Sequence, residues 1–391
     1  MSEIKVNSIK GTGASTAAIT IDSSAGTCTA NITNNLSNRN LIINGAMQIA
    51  QRGTSSTDSG YGSVDRFRVQ HGGTDEAPTQ AQVDVASGTT PYTNGFRKAF
   101  KITNGNQTSG AGATDSIHYE YYAEAQDIAN SGWNYLSSSS FITLSFWIKS
   151  SVAQNFQGRI RTRQGTSQNY AFETGSLSAD TWTKITITIP GNSNLQFDND
   201  TAKNFQIDIY AFYGTDYTSS AVSLDTCAAY ASGTQVKDVT STWYTTNDAT
   251  LEITGVQLEV GSVATDFEHR SYGQEFALCQ RYYYVTDPTA DNFCGGGGLF
   301  MFDAGQTSVS YGSLTFAQTM RAAPTVVLRD NEGNKDGKVT QHGIAHDIAA
   351  TATNINENGF SKVNKTSEIL VQVQGTRLFV GVLLMQNFNE D

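Results

Sequence analysis

Basic charge is what this sequence has least of. It carries 25 lysines and arginines against 36 aspartates and glutamates, a net charge of −11. A nucleic-acid-binding surface needs a basic face to displace counterions, so that class of partner is excluded for the chain as a whole. Charge of either sign is thin, at 16% of residues, below the roughly 25% of ordinary soluble domains. Cys28, Cys227, Cys279 and Cys294 are scattered, with no C-x-x-C pair. That excludes a disulfide framework and reads as reduced, buried small apolar residues. No run reaches the ~18 apolar residues of a membrane-crossing helix. The longest near either end is LFVGVLLM at Leu378–Met385, which is strand length. MSEIKVNSIK lacks the basic-then-apolar pattern of a secretory signal. Membrane insertion is therefore not expected.

Catalytic patterns are missing too. There is no G-x-S-x-G elbow, H-E-x-x-H pair, Walker loop or G-x-G-x-x-G after a strand, so no catalytic residue is expected. The five histidines are dispersed. His342 and His346 stand four apart, a metal-binding spacing on a helix, but Gly343 and the loop composition argue against a helix there. Asp198 and Asp200, in DND, offer oxygen ligands that suit calcium, although polar loops commonly carry such pairs without an ion. Neither a metal nor another cofactor is expected. Asp65 and Arg66, in SVDRF, read as an internal ion pair or turn contact.

What is present is serine, threonine, asparagine and glutamine, with 36 glycines, 17 tyrosines, 19 phenylalanines and only 5 prolines. This is the composition of short strands joined by Gly/Asn turns. The alternation is explicit. In FITLSFWIKS, Ile142, Leu144, Phe146 and Ile148 share one face and Trp147 and Lys149 the other. FQGRIRTR sets Phe156 and Ile160 against Arg159, Arg161 and Arg163; KITITIP and FQIDIY alternate likewise. The expected fold is all-β: a jelly-roll β-sandwich over residues 41–284, preceded by an oligomerisation and attachment segment at 1–40 and followed by a small β-domain at 285–391. The best helix candidate is Tyr272–Tyr284. The first 40 residues are too poor in apolar groups for a core of their own and read as ordered by partner chains.

LEITGVQLEV (Leu251–Val260) changes phase: Leu251 and Ile253 alternate before Gly255; Val256, Leu258 and Val260 alternate after it. A slip at a glycine inside a strand marks a β-bulge, expected at a sandwich corner where a strand passes between sheets.

Two surfaces could bind. If the central strands are neighbours, Trp147, Arg159, Arg161, Arg163, Asp208 and Tyr210 project from one face. An aromatic ring beside guanidinium forks suits a sugar, particularly an anionic one; a packed Trp147 over a solvated basic face is the plainer reading. The second is the polar segment Arg329–Gly343, with Asp330, Asn331, Asn334, Lys335, Asp336, Lys338 and His342 as a receptor loop on a β scaffold.

Three stretches carry a family resemblance. NLIINGAMQ followed by GYGSVDRF resembles the opening of jelly-roll carbohydrate-binding modules, and more closely a group of bacteriophage tail-fibre and virion appendage proteins. SFWIKS, DTWTKITITIPG and GVQLEVGSVATDFEHRS with CQRYY continue it. LTFAQTMRAAPTVVL resembles a module near the C-terminus of phage fibres, and IKVNSIKG their virion-proximal start. The resemblance, over about residues 38–330, implies a homotrimeric, non-enzymatic subunit. It would be held to other tail or capsid proteins by its N-terminus and would recognise a host-surface glycan or protein. A purely structural virion component and a capsule depolymerase are the alternatives.

Overall fold

The computed structural model describes residues 38–285 throughout. Outside that span it describes Ser8–Ile9, Ile19–Asp22, Thr27–Ala30, Met301–Phe302, 309–329, Lys338–Gln341, 347–365, Leu378–Phe379 and Gly381–Met385. The N-terminal strands β1 (Ser8–Ile9), β2 (Ile19–Asp22) and β3 (Thr27–Ala30) pair antiparallel in that order.

The next twelve strands build a jelly-roll β-sandwich: β4 (Ser55–Ser56), β5 (Phe67–Gly72), β6 (Thr79–Asp84), β7 (Lys98–Thr103), β8 (Ser116–Glu124), β9 (Phe141–Ser150), β10 (Asn155–Arg161), β11 (Gln168–Ser176), β12 (Thr183–Pro190), β13 (Lys203–Tyr213), β14 (Cys227–Ala229) and β15 (Thr250–Val260). Sheet I runs β12-β9-β15-β7-β6-β4, and sheet II runs β14-β11-β10-β13-β8-β5. The alternating apolar residues meet between them. Ile142, Leu144, Phe146 and Ile148 from sheet I, and Phe156, Ile160, Phe205, Ile207 and Ile209 from sheet II, all lie in one buried cluster. Each such side chain contributes about 1.5–3 kcal/mol on leaving water. Tyr119 and Tyr121 enter the same core with their hydroxyls satisfied. Tyr119 Oη donates to Phe100 O at 2.9 Å, and Tyr121 Oη accepts from Ile43 N at 2.9 Å.

The phase slip is a bulge. Thr254 faces Trp147 and Gln257 faces Ser145, so β15 carries one extra residue against β9. Gly255 adopts φ +62°, and a Cβ there would stand 2.6 Å from the Phe96 ring. Leu251 and Leu258 consequently both reach the core. The bulge differs from expectation in its setting, because β15 is an interior strand that stays in sheet I. What changes is its neighbour. β7 pairs with Thr250–Ile253, and beyond the bulge Val256 N donates to Gly45 O and Leu41 N to Leu258 O.

The expected helix is present but shorter, Tyr272–Gln280, started by a capping box between Ser271 and Gln274. Beyond it, Tyr283–Val285, Gly381–Met385 and Thr325–Arg329 form a sheet with Gly381–Met385 in the middle. The side chains of that central strand lie outside the described residues.

Candidate functional site

Alternation along sheet II turns one set of side chains away from the core. These are Gln157, Arg159 and Arg161 on β10, Gln206, Asp208 and Tyr210 on β13, His118, Glu120 and Tyr122 on β8, and Arg68 on β5. The register aligns Arg159, Asp208, Glu120 and Arg68 in one row across four strands. The charge order is plus, minus, minus, plus. Two carboxylates directly opposite each other repel, and three side chains relieve this. Arg159 Nε binds Asp208 at 2.5 Å, Arg68 Nε donates to Glu120 at 2.7 Å, and the Gln206 amide donates to Glu120 at 2.8 Å and to Asp208 at 2.9 Å. Tyr210 Oη adds a hydrogen bond to Asp208 at 3.0 Å.

This row is buried. Asp208 is 0% exposed, Glu120 3%, Arg159 4% and Arg68 5%. Its Arg159–Asp208 end lies beneath the end of β13 and the segment that follows it. Tyr210 stacks on Tyr213 at 4.3 Å and Tyr213 on Tyr217 at 4.5 Å, while Gln235 accepts from Arg159. Burial opposes ionisation of Asp208, but the Arg159 guanidinium overrides it and holds the carboxyl below its ordinary value. Burial lowers the pKa of His118, against the pull of Asp208 and Glu120, so the ring is neutral at pH 7. It rests 4.9 Å from the Tyr210 ring with its Nδ1 enclosed and unpartnered. His118, Glu120 and Asp208 place their donor atoms within 4.8 Å of one another. Both carboxylates are committed to guanidinium groups, so a cation could enter only by displacing Arg159 and Arg68.

The face reaches solvent at one rim. The Arg161 guanidinium lies 3.4 Å over the half-exposed Tyr230 ring, and its Nε donates to Ser167 at 3.1 Å. Arg163 donates to Gln206 at 2.7 Å and to the Tyr122 hydroxyl at 3.1 Å. The Lys203 ammonium stands 5.6 Å from the same Tyr122 ring.

The sequence-predicted residues divide. Arg159, Arg161, Arg163, Asp208 and Tyr210 do share one face. Arg159, Asp208 and Tyr210 form its buried floor, and only Arg161 and Arg163 remain open to a ligand. Trp147 does not belong with them. Its strand β9 is in sheet I, and it packs against the buried cluster of Ala46, Val85, Phe96 and Ala99. Its neighbour Lys149 pairs with Glu252 at 3.0 Å. Alternation fixes which side of a strand a residue occupies and is silent about which sheet holds the strand. The receptor-loop residues Asp330, Asn331, Asn334, Lys335, Asp336 and His342 lie outside the described residues, as does the Lys338 side chain. Glu120, Arg68, Gln206, Tyr122, Lys203 and Tyr230 were not foreseen; the period-two pattern of SIHYEYYAE was the available signal for Glu120 and Tyr122.

Other candidates resolve locally. Asp65 pairs with Arg52 at 3.3 Å instead of with Arg66, whose guanidinium lies 3.4 Å over Tyr282. Asp200 is held by the Gln164 amide at 3.2 Å. A groove of about 1290 Å³ runs beside the helix, lined by Asn38, Asp127, Arg270 and Leu278 among others. Burial, then Glu124, pushes the Asp127 carboxyl up to about 6.

No protein-family model and no curated protein sequence matches the chain. Solved structures similar to part of it include the enzymatically active domain of tailspike protein 4 of bacteriophage CBA120. Identity is 11% and TM-score 0.30, over 57% of this chain and 21% of that one. The N-terminal cellulose-binding domain of Cellulomonas fimi β-1,4-glucanase C is 11% identical with a TM-score of 0.26, over 55% of this chain and 97% of that one. A family 11 carbohydrate-binding module from Clostridium thermocellum, in complex with a mixed-linked tetrasaccharide, is 12% identical with a TM-score of 0.24, over 52% of this chain and 91% of that one. This chain thus spans about a fifth of the tailspike chain. Likeness at these scores carries no argument about function.

Proposed function

We propose that the chain is a homotrimeric subunit of a virion appendage that recognises a host-surface glycan without catalysis. The virion assignment rests on the sequence resemblance. The observation that carries glycan recognition is the rim of sheet II, where Arg161 stacks on the half-exposed Tyr230 beside Arg163. Guanidinium N–H donors, one of them held flat on an aromatic ring and both anchored on a rigid sheet, are groups that hold a sugar's oxygens. The buried row beneath fixes them, because β10 and β13 cannot shift without separating Arg159 from Asp208.

On this face of sheet II the carboxylates favour binding over hydrolysis. Glycoside cleavage needs one carboxyl as proton donor and another facing the sugar. Asp208 is held ionised, and Asp208 and Glu120 are both enclosed and paired with arginine. The structural-component alternative draws support from the same burial, since so much of this face serves the fold.

The test is adsorption of the purified full chain to host cells and to their extracted surface polysaccharide, with product release assayed in parallel and intact particles labelled by an antibody to the chain. Binding that the polysaccharide competes away, without released product, is expected. Labelled particles combined with no adsorption would leave the structural role, and released oligosaccharide would establish the depolymerase.

A further inference from the structure

Among the described residues, Arg161 and Arg163 are cations without counter-ions. Among the described residues their partners are neutral: Ser167 Oγ and the Tyr230 ring for Arg161, Gln206 Oε1 and Tyr122 Oη for Arg163. This contrasts with Arg159 and Arg68 in the adjoining row, each ion-paired to a carboxylate at 2.5 Å. It is also unexpected in a chain with 36 acidic residues against 25 basic ones. Neutral partners orient a guanidinium and leave its charge available.

The two are not alone. Arg68, Arg163 and Lys203 surround the Tyr122 ring at 5.3, 5.4 and 5.6 Å. Burial and then Arg163 lower the Arg161 pKa, and burial followed by Arg163 and Arg68 lowers that of Lys203. Like charge therefore gathers here; Glu120 offsets it at Arg68 and Lys203, and an anion from outside would offset it at Arg161 and Arg163.

Accepting the glycan-binding reading of this rim, we infer that its ligand is an acidic glycan whose carboxylate or sulfate groups are received by Arg161, held flat on Tyr230, and by Arg163. A guanidinium offers two parallel N–H donors to a carboxylate or sulfate. Such contacts are screened by salt where they are half exposed.

The experiment uses the full chain and four defined polymers: polygalacturonate and chondroitin sulfate as acidic probes, dextran and laminarin as neutral ones. Affinity is measured at 0.15 M and 0.6 M NaCl for the wild type, R161Q, R163Q and K184Q. Lys184 is an exposed cation on sheet I and controls for non-specific attraction. Thermal melts establish that each variant is folded. Expected are at least tenfold preference for an acidic probe, loss of that preference at the higher salt, and at least fivefold weakening by R161Q and R163Q but not by K184Q. Equal binding of neutral probes, untouched by R161Q and R163Q, would overturn the acidic ligand and leave the glycan reading standing. Equal weakening by K184Q would mark diffuse attraction and overturn the site. No binding of any probe, with host polysaccharide also ignored, would overturn both.

Discussion

The buried charge row invites a double-mutant cycle on Arg159 and Asp208. Arg159→Met leaves an ionised carboxylate that is 0% exposed. Breaking a buried pair costs about 3–5 kcal/mol. Asp208 keeps the Gln206 amide and the Tyr210 hydroxyl, so this variant belongs near the lower end. Asp208→Leu is worse. It strands the guanidinium and removes the acceptor of Tyr210, which places it near 5 kcal/mol by the same scale. The double variant strands no charge. Gln206 still donates to Glu120 and Gln235 still accepts from Tyr213. The Tyr210 hydroxyl loses its acceptor, at about 1–3 kcal/mol. The double variant should therefore be more stable than either single one, with the singles overshooting it by about 5–7 kcal/mol in sum. Urea unfolding of the full chain, followed through the buried Trp133 and Trp243, measures this. Additive singles, or a double variant below both, would show that the row is not a charge-paired floor and would remove the support claimed for Arg161.

Three further outcomes are expected. Gly255→Ala combines left-handed strain at φ +62° with a Cβ 2.6 Å from Phe96, about 2–4 kcal/mol together. Gly88→Ala, at φ +85° with nothing within 4 Å, should cost only about 1–2 kcal/mol, and equal melting shifts for the two would refute the packing part. His118 has a folded pKa below 6.5 through burial. The unfolded chain therefore takes up a proton below that pH which the folded one resists, and stability falls as the solution is acidified. Asp208, held below 3.8 in the folded state, adds a further loss near and below that value. H118Q should flatten the melting-temperature slope between pH 7.5 and 5.5 without abolishing it, because His71 is lowered in the same direction; an unchanged slope would sink the assignment. Trp147→Ala should lower stability by about 2–4 kcal/mol as a partly buried aromatic and leave glycan affinity untouched; lost affinity with an intact melt would return Trp147 to the site.

The sandwich was legible because its strands carry a strict period of two. Ile142–Ile148 and Phe205–Ile209 declare their core faces within a few residues, and Gly255 declares the change of phase. The site was legible only in part, because it is assembled across strands distant in the chain. Arg161 and Asp208 were visible as outward positions of their strands. That Glu120 and Arg68 complete the row depends on β8 joining β13 and β5 joining β8, pairings no local pattern encodes. Tyr230 comes from a segment without periodicity. Trp147 was misplaced for the complementary reason: its strand has the same alternation as β10, and sheet membership is a property of strand order.

The arrangement also accounts for how an acidic chain can present a basic site. Net charge acts at a distance, and at physiological ionic strength its field decays over about 8 Å. Inside that distance the local groups decide. Here Asp208 and Glu120 consume Arg159 and Arg68, which leaves Arg161, one row further along the sheet, and Arg163 just beyond the strand without a carboxylate partner among the described residues. The overall charge of −11 then opposes loose accumulation of an acidic polymer on the rest of the surface. Attraction confined to one rim and repulsion elsewhere give a weak but selective contact, since a misplaced anion meets like charge. Weakness at one site is compatible with attachment if three copies act together, because the second and third contacts form at high effective concentration. Selectivity would thus reside in the geometry of two arginines, and strength in the number of chains.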